Sequence, residues 1–152
     1  MSRTNTIEVI ARAVIRRGDK LLLCRMKEGA NWFFLPGGHV EFGEPIEAAL
    51  LRELEEELGL RQVTIKSLIG TVENMFSIGD RIQHEVNFVF EVEESEGLLP
   101  IESREAHLDF AFLDVRSLDK KLILPKALHD GLLEWLNSGK TFWKGLEPSL
   151  VH

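Results

Sequence analysis

Apolar and polar positions change period along the chain, and each change marks an element. IEVIARAVIRR (7–17) alternates in part and reads as a strand, RGD (17–19) as a turn, and KLLLCRMK (20–27) as a second, more buried strand. The two strands are expected to form a hairpin. EGAN (28–31) reads as a loop, and WFFLPGG (32–38) is a short apolar run stopped by proline and two glycines. GEPIEAALLRELEEELGL (43–60) is the clearest helix, with Pro45 suited to its first position and Gly59 to the residue past its end. Ile46, Leu50, Leu54 and Leu58 recur at i+4 and form its packing stripe. VTIKSLIGTVENMF (63–76) and IQHEVNFVFEVE (82–93), joined by SIGDR, read as a second hairpin. An acidic loop (94–107) leads to a strand, LDFAFLDV (108–115), and then to a helix, LPKALHDGLLEWLNSG (124–139). Ala127, Leu128, Leu132, Leu133 and Leu136 share the apolar side of that helix. The order β-β-β-α-β-β-β-α predicts an α/β fold, with a helix on each face of a sheet. No repeat, linker or low-complexity segment interrupts it.

One helix is charged against its own dipole. Glu53, Glu55, Glu56 and Glu57 crowd the last turns of the 43–60 helix, where partial negative charge accumulates and cations are preferred. At 100° per residue, Glu53, Glu56 and Glu57 fall within an arc of roughly 100°, while Glu55 points elsewhere. Glu57 lies only about 20° from Leu50, on the border of the packing stripe. Three half-sheltered carboxylates raise one another's pKa or share a cation, and hard divalent ions take oxygen ligands of this kind. The bland alternative is a solvated acidic face. The glycine pair Gly37–Gly38 just upstream lets backbone approach a ligand closely.

Length and composition fit this picture. The 152 residues suit one domain spanning 1–152, and 44% hydrophobic with 28% charged residues is ordinary for a globular protein. The formal net charge of −7 argues against a basic nucleic-acid-binding face, but a divalent cation can bridge acidic protein to acidic substrate. The single cysteine, Cys24, excludes an intramolecular disulfide. No apolar run approaches the ~20 residues that span a bilayer, and MSRTNTIEV lacks the apolar core of a signal peptide. A cytoplasmic protein without a membrane partner is expected.

Spacing then sharpens the acid helix. Gly38 is followed by five residues, Glu44, seven residues, and Arg52-Glu53-Leu54-Glu55-Glu56-Glu57-Leu58-Gly59-Leu60. This resembles the signature of the Nudix (MutT-like) hydrolases at every fixed position from 38 to 60. Seven fixed residues at about 7% usage each coincide by chance at roughly 10⁻⁸ per start position.

The resemblance implies an α/β/α sandwich around a mixed β-sheet. It also implies hydrolysis of a pyrophosphate bond in a nucleoside diphosphate linked to a second group, X, with Mg²⁺ or Mn²⁺. ADP-ribose, nucleotide sugars, dinucleoside polyphosphates and nucleoside triphosphates are the substrates it offers. By the same resemblance Glu53, Glu56 and Glu57 would bind metal, with the carbonyl of Gly37. Arg52 would orient the glutamates, Glu44 would support it, and Gly38 and Gly59 would shape the loop and the helix end. Homodimers occur in the family, and the apolar tail KTFWKGLEPSLVH allows one here. A catalytically silent nucleotide sensor is the alternative; it usually carries a broken signature, and this one is intact.

Outside the signature the readings stay open. The general base is a helix glutamate, Glu53 or Glu56, or a loop acid, Glu105 before Glu102, with Glu85 a further candidate. Arg25 ends the second strand, where it meets either a phosphate or solvent. Trp32 and Phe33 precede the glycine pair, and one of them is a candidate to stack on a base. His39 follows Gly38 at a variable position and lines the site without binding metal. His84, beside Glu85, faces either the cleft or a structural hydrogen bond. Cys24 reads as a small buried apolar residue rather than a nucleophile. Trp135 and Trp143 read as packing for the last helix or a dimer contact.

Overall fold

A computed structural model describes residues 5–29, 31–95 and 101–147. Residues 1–4, 30, 96–100 of the acidic loop and 148–152 of the tail lie outside the described residues, and the readings above that fall on them do so too.

Strand β1 (Ile7–Val14) is followed by β2 (Arg16–Arg17), β3 (Lys20–Met26) and β4 (Gly37–His39). Helix α1 (Ile46–Leu58) leads to the long hairpin of β5 (Val63–Ile78) and β6 (Arg81–Glu94), and then to β7 (Leu108–Leu113). A single 3₁₀ turn (Lys120–Leu122), helix α2 (Lys126–Ser138) and β8 (Phe142–Lys144) complete the order. Five strands form a mixed sheet in the order β4-β1-β6-β5-β8, with β1 parallel to β6 and β5 parallel to β8. A second sheet has the order β2-β3-β7.

The helices cover opposite sides of two apolar clusters. Leu50, Leu54 and Leu58 of α1 pack on Ala11, Ala13, Ile15, Leu22, Phe90 and Val92. Leu128, Leu132 and Trp135 of α2 pack on Val14, Leu21, Leu23, Val72, Val89 and Phe142. Alternation makes this possible: in β3, Leu21 and Leu23 enter one cluster and Leu22 the other. The result is the expected α/β/α arrangement around a mixed sheet.

Three expectations need correction. The 7–17 strand is two strands, because the chain changes sheets at fully buried Ile15, whose carbonyl accepts the Leu22 N–H at 3.0 Å. The first hairpin is therefore limited to Arg16–Arg17 against Lys20–Leu21. Second, 32–38 does not form one strand. Phe33 and Phe34 make isolated bridges to Ile123 and Cys24, and only Gly37–His39 joins the sheet. Third, the order of elements does not end at the second helix: β8 pairs with Gly70–Val72, and the buried Phe142 ring fills the space that side chains at Gly70 and Gly131 would take. Trp135 packs α2 as expected, whereas Trp143 is exposed on β8. Among the described residues no helix is long and apolar enough to cross a membrane.

Candidate active site

Two glycines bring the backbone of β4 against the acidic end of α1. A Cβ on Gly38 would lie 2.5 Å from Cδ of Glu53, so that carboxylate rests on bare backbone. Gly37, at φ +135°, leaves no room on its other side, where a Cβ would meet the Ala11 carbonyl at 2.0 Å. The Gly37 N–H donates to Glu57 Oε2 at 3.4 Å. Helix α1 ends at Leu58 and is capped by Gly59, left-handed at φ 67°, whose N–H donates to the Glu55 carbonyl.

Arg52 gathers the acids. Its Nε and Nη2 donate to the two oxygens of Glu44 at 2.9 and 3.0 Å, a two-pronged pairing that fixes the guanidinium plane. Nη1 reaches Glu53 at 3.0 Å and Glu56 at 3.4 Å, and Nη2 also donates to the His39 carbonyl at 3.1 Å. These bonds hold the Arg52 pKa above its usual value, led by Glu44. Reciprocally, Arg52 and the Glu41 N–H hold the Glu44 carboxyl below its usual range.

Glu57 is the buried member, on the α1 stripe where its angle to Leu50 puts it. Burial pushes its carboxyl up to about 8; Glu53 and Glu105 add repulsion, while the Gly37 N–H and Arg12 oppose the rise. Glu105 thus lies within electrostatic reach of Glu57. A tight turn holds it: Ser103 Oγ accepts the Glu105 N–H and donates to the Glu105 carbonyl. His107 Nε2 stands 3.3 Å from the Glu105 carboxylate.

The same loop supplies the cation that α1 lacks. The Arg104 N–H donates to the Glu57 carbonyl at 2.7 Å, and the Arg104 guanidinium packs where a Gly59 side chain would be. Arg104 and Arg12, a β1 arginine near Glu57 and Glu53, escaped the sequence reading. Both act across long chain separations, and no local spacing marks them.

The remaining candidates scatter. Arg25 lines a 320 Å³ pocket with Phe33, Asp109, Phe110, Ala111 and Leu113, and stands 3.9 Å from the Asp109 carboxylate. Trp32 and Glu102 are exposed. His39 is exposed and pairs with Glu8. Glu85 is buried on β6 and accepts from Asn74 at 3.0 Å. Cys24 is fully buried; burial, then Glu57, raises its thiol pKa, which fits an inert side chain.

As the side chains lie, no three His, Cys, Asp or Glu among the described residues close on a single metal position. Arg52 holds Glu53 and Glu56 instead. The donor chemistry nonetheless fits a hard divalent cation: three carboxylates on one helix end, beside backbone bared by glycines, with one carboxylate buried.

A family model described as NUDIX domain matches residues 6–136. The chain is 32% identical over 130 residues to the ADP-ribose pyrophosphatase of Methanocaldococcus jannaschii, covering 82% of this chain and 72% of that one. It is 29% identical over 141 residues to an uncharacterised Nudix hydrolase of Bacillus subtilis, covering 91% and 85% of the two chains. A MutT Nudix hydrolase from Burkholderia pseudomallei superposes with a TM-score of 0.65 at 26% identity, over 82% of this chain and 96% of that one. The MutT protein from Methanosarcina mazei Go1 shares the fold at a TM-score of 0.70 and 19% identity, over 91% and 99% of the two chains. The chain belongs to the Nudix family. Within it, the class is that of a pyrophosphohydrolase.

Proposed function

We propose that the protein is a divalent-metal-dependent hydrolase that cuts the pyrophosphate of a nucleoside diphosphate linked to a second group, with ADP-ribose the first substrate to test. The observation that carries this reading is the seating of Glu53 and Glu57 on the Gly37–Gly38 backbone beside Glu56. Similarity to an ADP-ribose pyrophosphatase over 82% of the chain supports the choice of substrate.

Glu53, Glu56 and Glu57, with the Gly37 carbonyl, would hold Mg²⁺ or Mn²⁺. When bound, such an ion neutralises phosphate charge and makes bound water more acidic. Arg52 sets the facing of Glu53 and Glu56 while Glu44 fixes Arg52. Glu105, held by the Ser103 turn, is the base that takes a proton from the attacking water. The water oxygen bonds to phosphorus, the bridging P–O bond breaks, and two phosphate monoesters leave. Positioning and electrostatics supply most of the catalysis in such a displacement.

A hydrolysis screen, in which anion-exchange chromatography separates the monoester products from the substrate, tests this reading. Protein with Mg²⁺, then Mn²⁺, meets ADP-ribose, nucleotide sugars, dinucleoside polyphosphates, NADH and nucleoside triphosphates, with Glu56→Gln as control. Turnover of one substrate class by the wild type and not by the variant is expected. Near-wild-type kcat in Glu56→Gln would overturn the ligand assignment.

A further inference from the structure

A second polar cluster, unused by the signature, lies on the face of the five-stranded sheet. Register places Glu8, Glu85 and Asn74 in one row across β1, β6 and β5, and Ile10, Asn87 and Val72 in the next. The row after that holds Gly37, Arg12 and Val89. Rows two residues apart share a face, so Arg12, Asn74, Glu85 and Asn87 point the same way.

Their hydrogen bonds are directional. Glu85 and Asn87 are only 8% and 1% exposed, so each polar atom needs a partner. Asn74 and Asn87 both donate to Glu85 Oε1, at 3.0 and 3.4 Å. The Asn87 carbonyl oxygen accepts from Arg12 Nε at 3.4 Å, and Arg12 Nη1 donates to the Leu35 carbonyl at 3.0 Å. Two atoms remain: among the described residues Glu85 Oε2 accepts nothing and Arg12 Nη2 donates to nothing. Arg12 also lies over the Phe34 ring, 5.7 Å from its centroid, which gives the cluster a flat wall. Both atoms reach the surface, and a carboxylate locked on one oxygen and open on the other can accept one N–H.

The cluster is also placed for it. Arg12 is within electrostatic reach of Glu85 and of Glu57 and Glu53. Strand β6 lies two strands from β4, roughly 10 Å, a span that one nucleoside bridges. We propose that Arg12, Phe34, Asn74, Glu85 and Asn87 form the base subsite, in which Glu85 Oε2 accepts from the amino group of an amino-bearing base and Arg12 faces the adjacent ring nitrogen. One free carboxylate oxygen suits one amino group, as in adenine, better than the paired N–H edge of guanine. The inference rests on the pyrophosphohydrolase reading for its biological use, but not for its test.

The test uses uncharged nucleosides, so it depends on neither metal nor turnover. Adenosine and inosine are titrated into the protein while NMR follows the side-chain amides of Asn74 and Asn87. Inosine puts an oxygen where adenosine has its amino group. Adenosine is expected to shift both amides and to bind about tenfold or more tighter than inosine. In Glu85→Gln the amide oxygen takes the two asparagine donors and its NH₂ replaces Oε2, so the acceptor for the amino group is gone and the preference for adenosine should be lost. Equal binding of the two nucleosides by the wild type, unmoved asparagine amides, or an unchanged preference in the variant would overturn the subsite. If the variant does not fold, the wild-type ratio and the amide shifts decide. A chain that hydrolyses nucleotides yet ignores the base would lose the subsite alone; a chain that discriminates bases without turnover would lose the enzyme reading alone.

Discussion

Gly38 has a use that its lack of a side chain explains: the Glu53 carboxylate occupies the space beside its Cα. Gly38→Ala would put a methyl 2.5 Å from Glu53 Cδ, and the carboxylate must turn away. Expected is a fall in kcat of about tenfold or more, because small misplacements near the chemistry are costly, with little change in Tm because the Glu53 end is only half-buried and can move. Unchanged kcat would show that the Glu53 position is immaterial. Cys24 makes the opposite kind of prediction. Its thiol is buried and its pKa raised, so Ellman's reagent at pH 8 should label it only after unfolding. Rapid labelling of the native protein would contradict its placement in the core. At this scale the signature residues were legible because their chemistry is local: Arg52, Glu53, Glu56 and Glu57 lie within two turns. Glu85 was visible as an acid but its proposed part in reading a base was not, since that depends on Asn87 of its own strand and on Asn74 and Arg12 of two others.

Helix α1 carries its acids at the negative end of its dipole, and the structure shows the compensation. Arg104 caps the Glu57 carbonyl and lays its guanidinium against Gly59. Gly59→Ala combines a left-handed φ of 67° with displacement of that guanidinium. The backbone alone costs about 1–2 kcal/mol, a drop of about 2–8 °C in Tm for a domain of this size. Loss of kcat should accompany it, because the loop that holds Glu105 is attached at the same place. A Tm and kcat like those of the wild type would show the loop to be independent of the helix end. The helix itself was legible from its four-residue repeat, from Pro45 and from Gly59. The loop's attachment was not, because it joins residues far apart in the chain. For the same reason the break at Ile15 was invisible: an unbroken apolar pattern serves equally for one strand or for a chain passing between two buried sheets.

Across the whole molecule, stability and chemistry have separate sources. The two clusters that pack α1 and α2 contain almost only apolar side chains, and the candidate metal ligands lie at their margin. Removing metal with EDTA should therefore stop turnover while leaving a cooperative unfolding transition, with Tm lowered only by the loss of ligand linkage. Loss of near-UV dichroism on chelation would make the ion structural. The order of elements was legible almost end to end, but β8 was not. Its placement depends on Phe142 filling the gap over Gly70 and Gly131, two glycines that look unremarked in sequence. Whether the acidic end of α1 holds a divalent cation is read by Mn²⁺ binding, followed through its electron-spin signal. The wild type should bind, and Glu56→Gln should bind about tenfold or more weakly at unchanged Tm. Equal Mn²⁺ affinity in the two proteins would mean that Glu56 does not hold the cation.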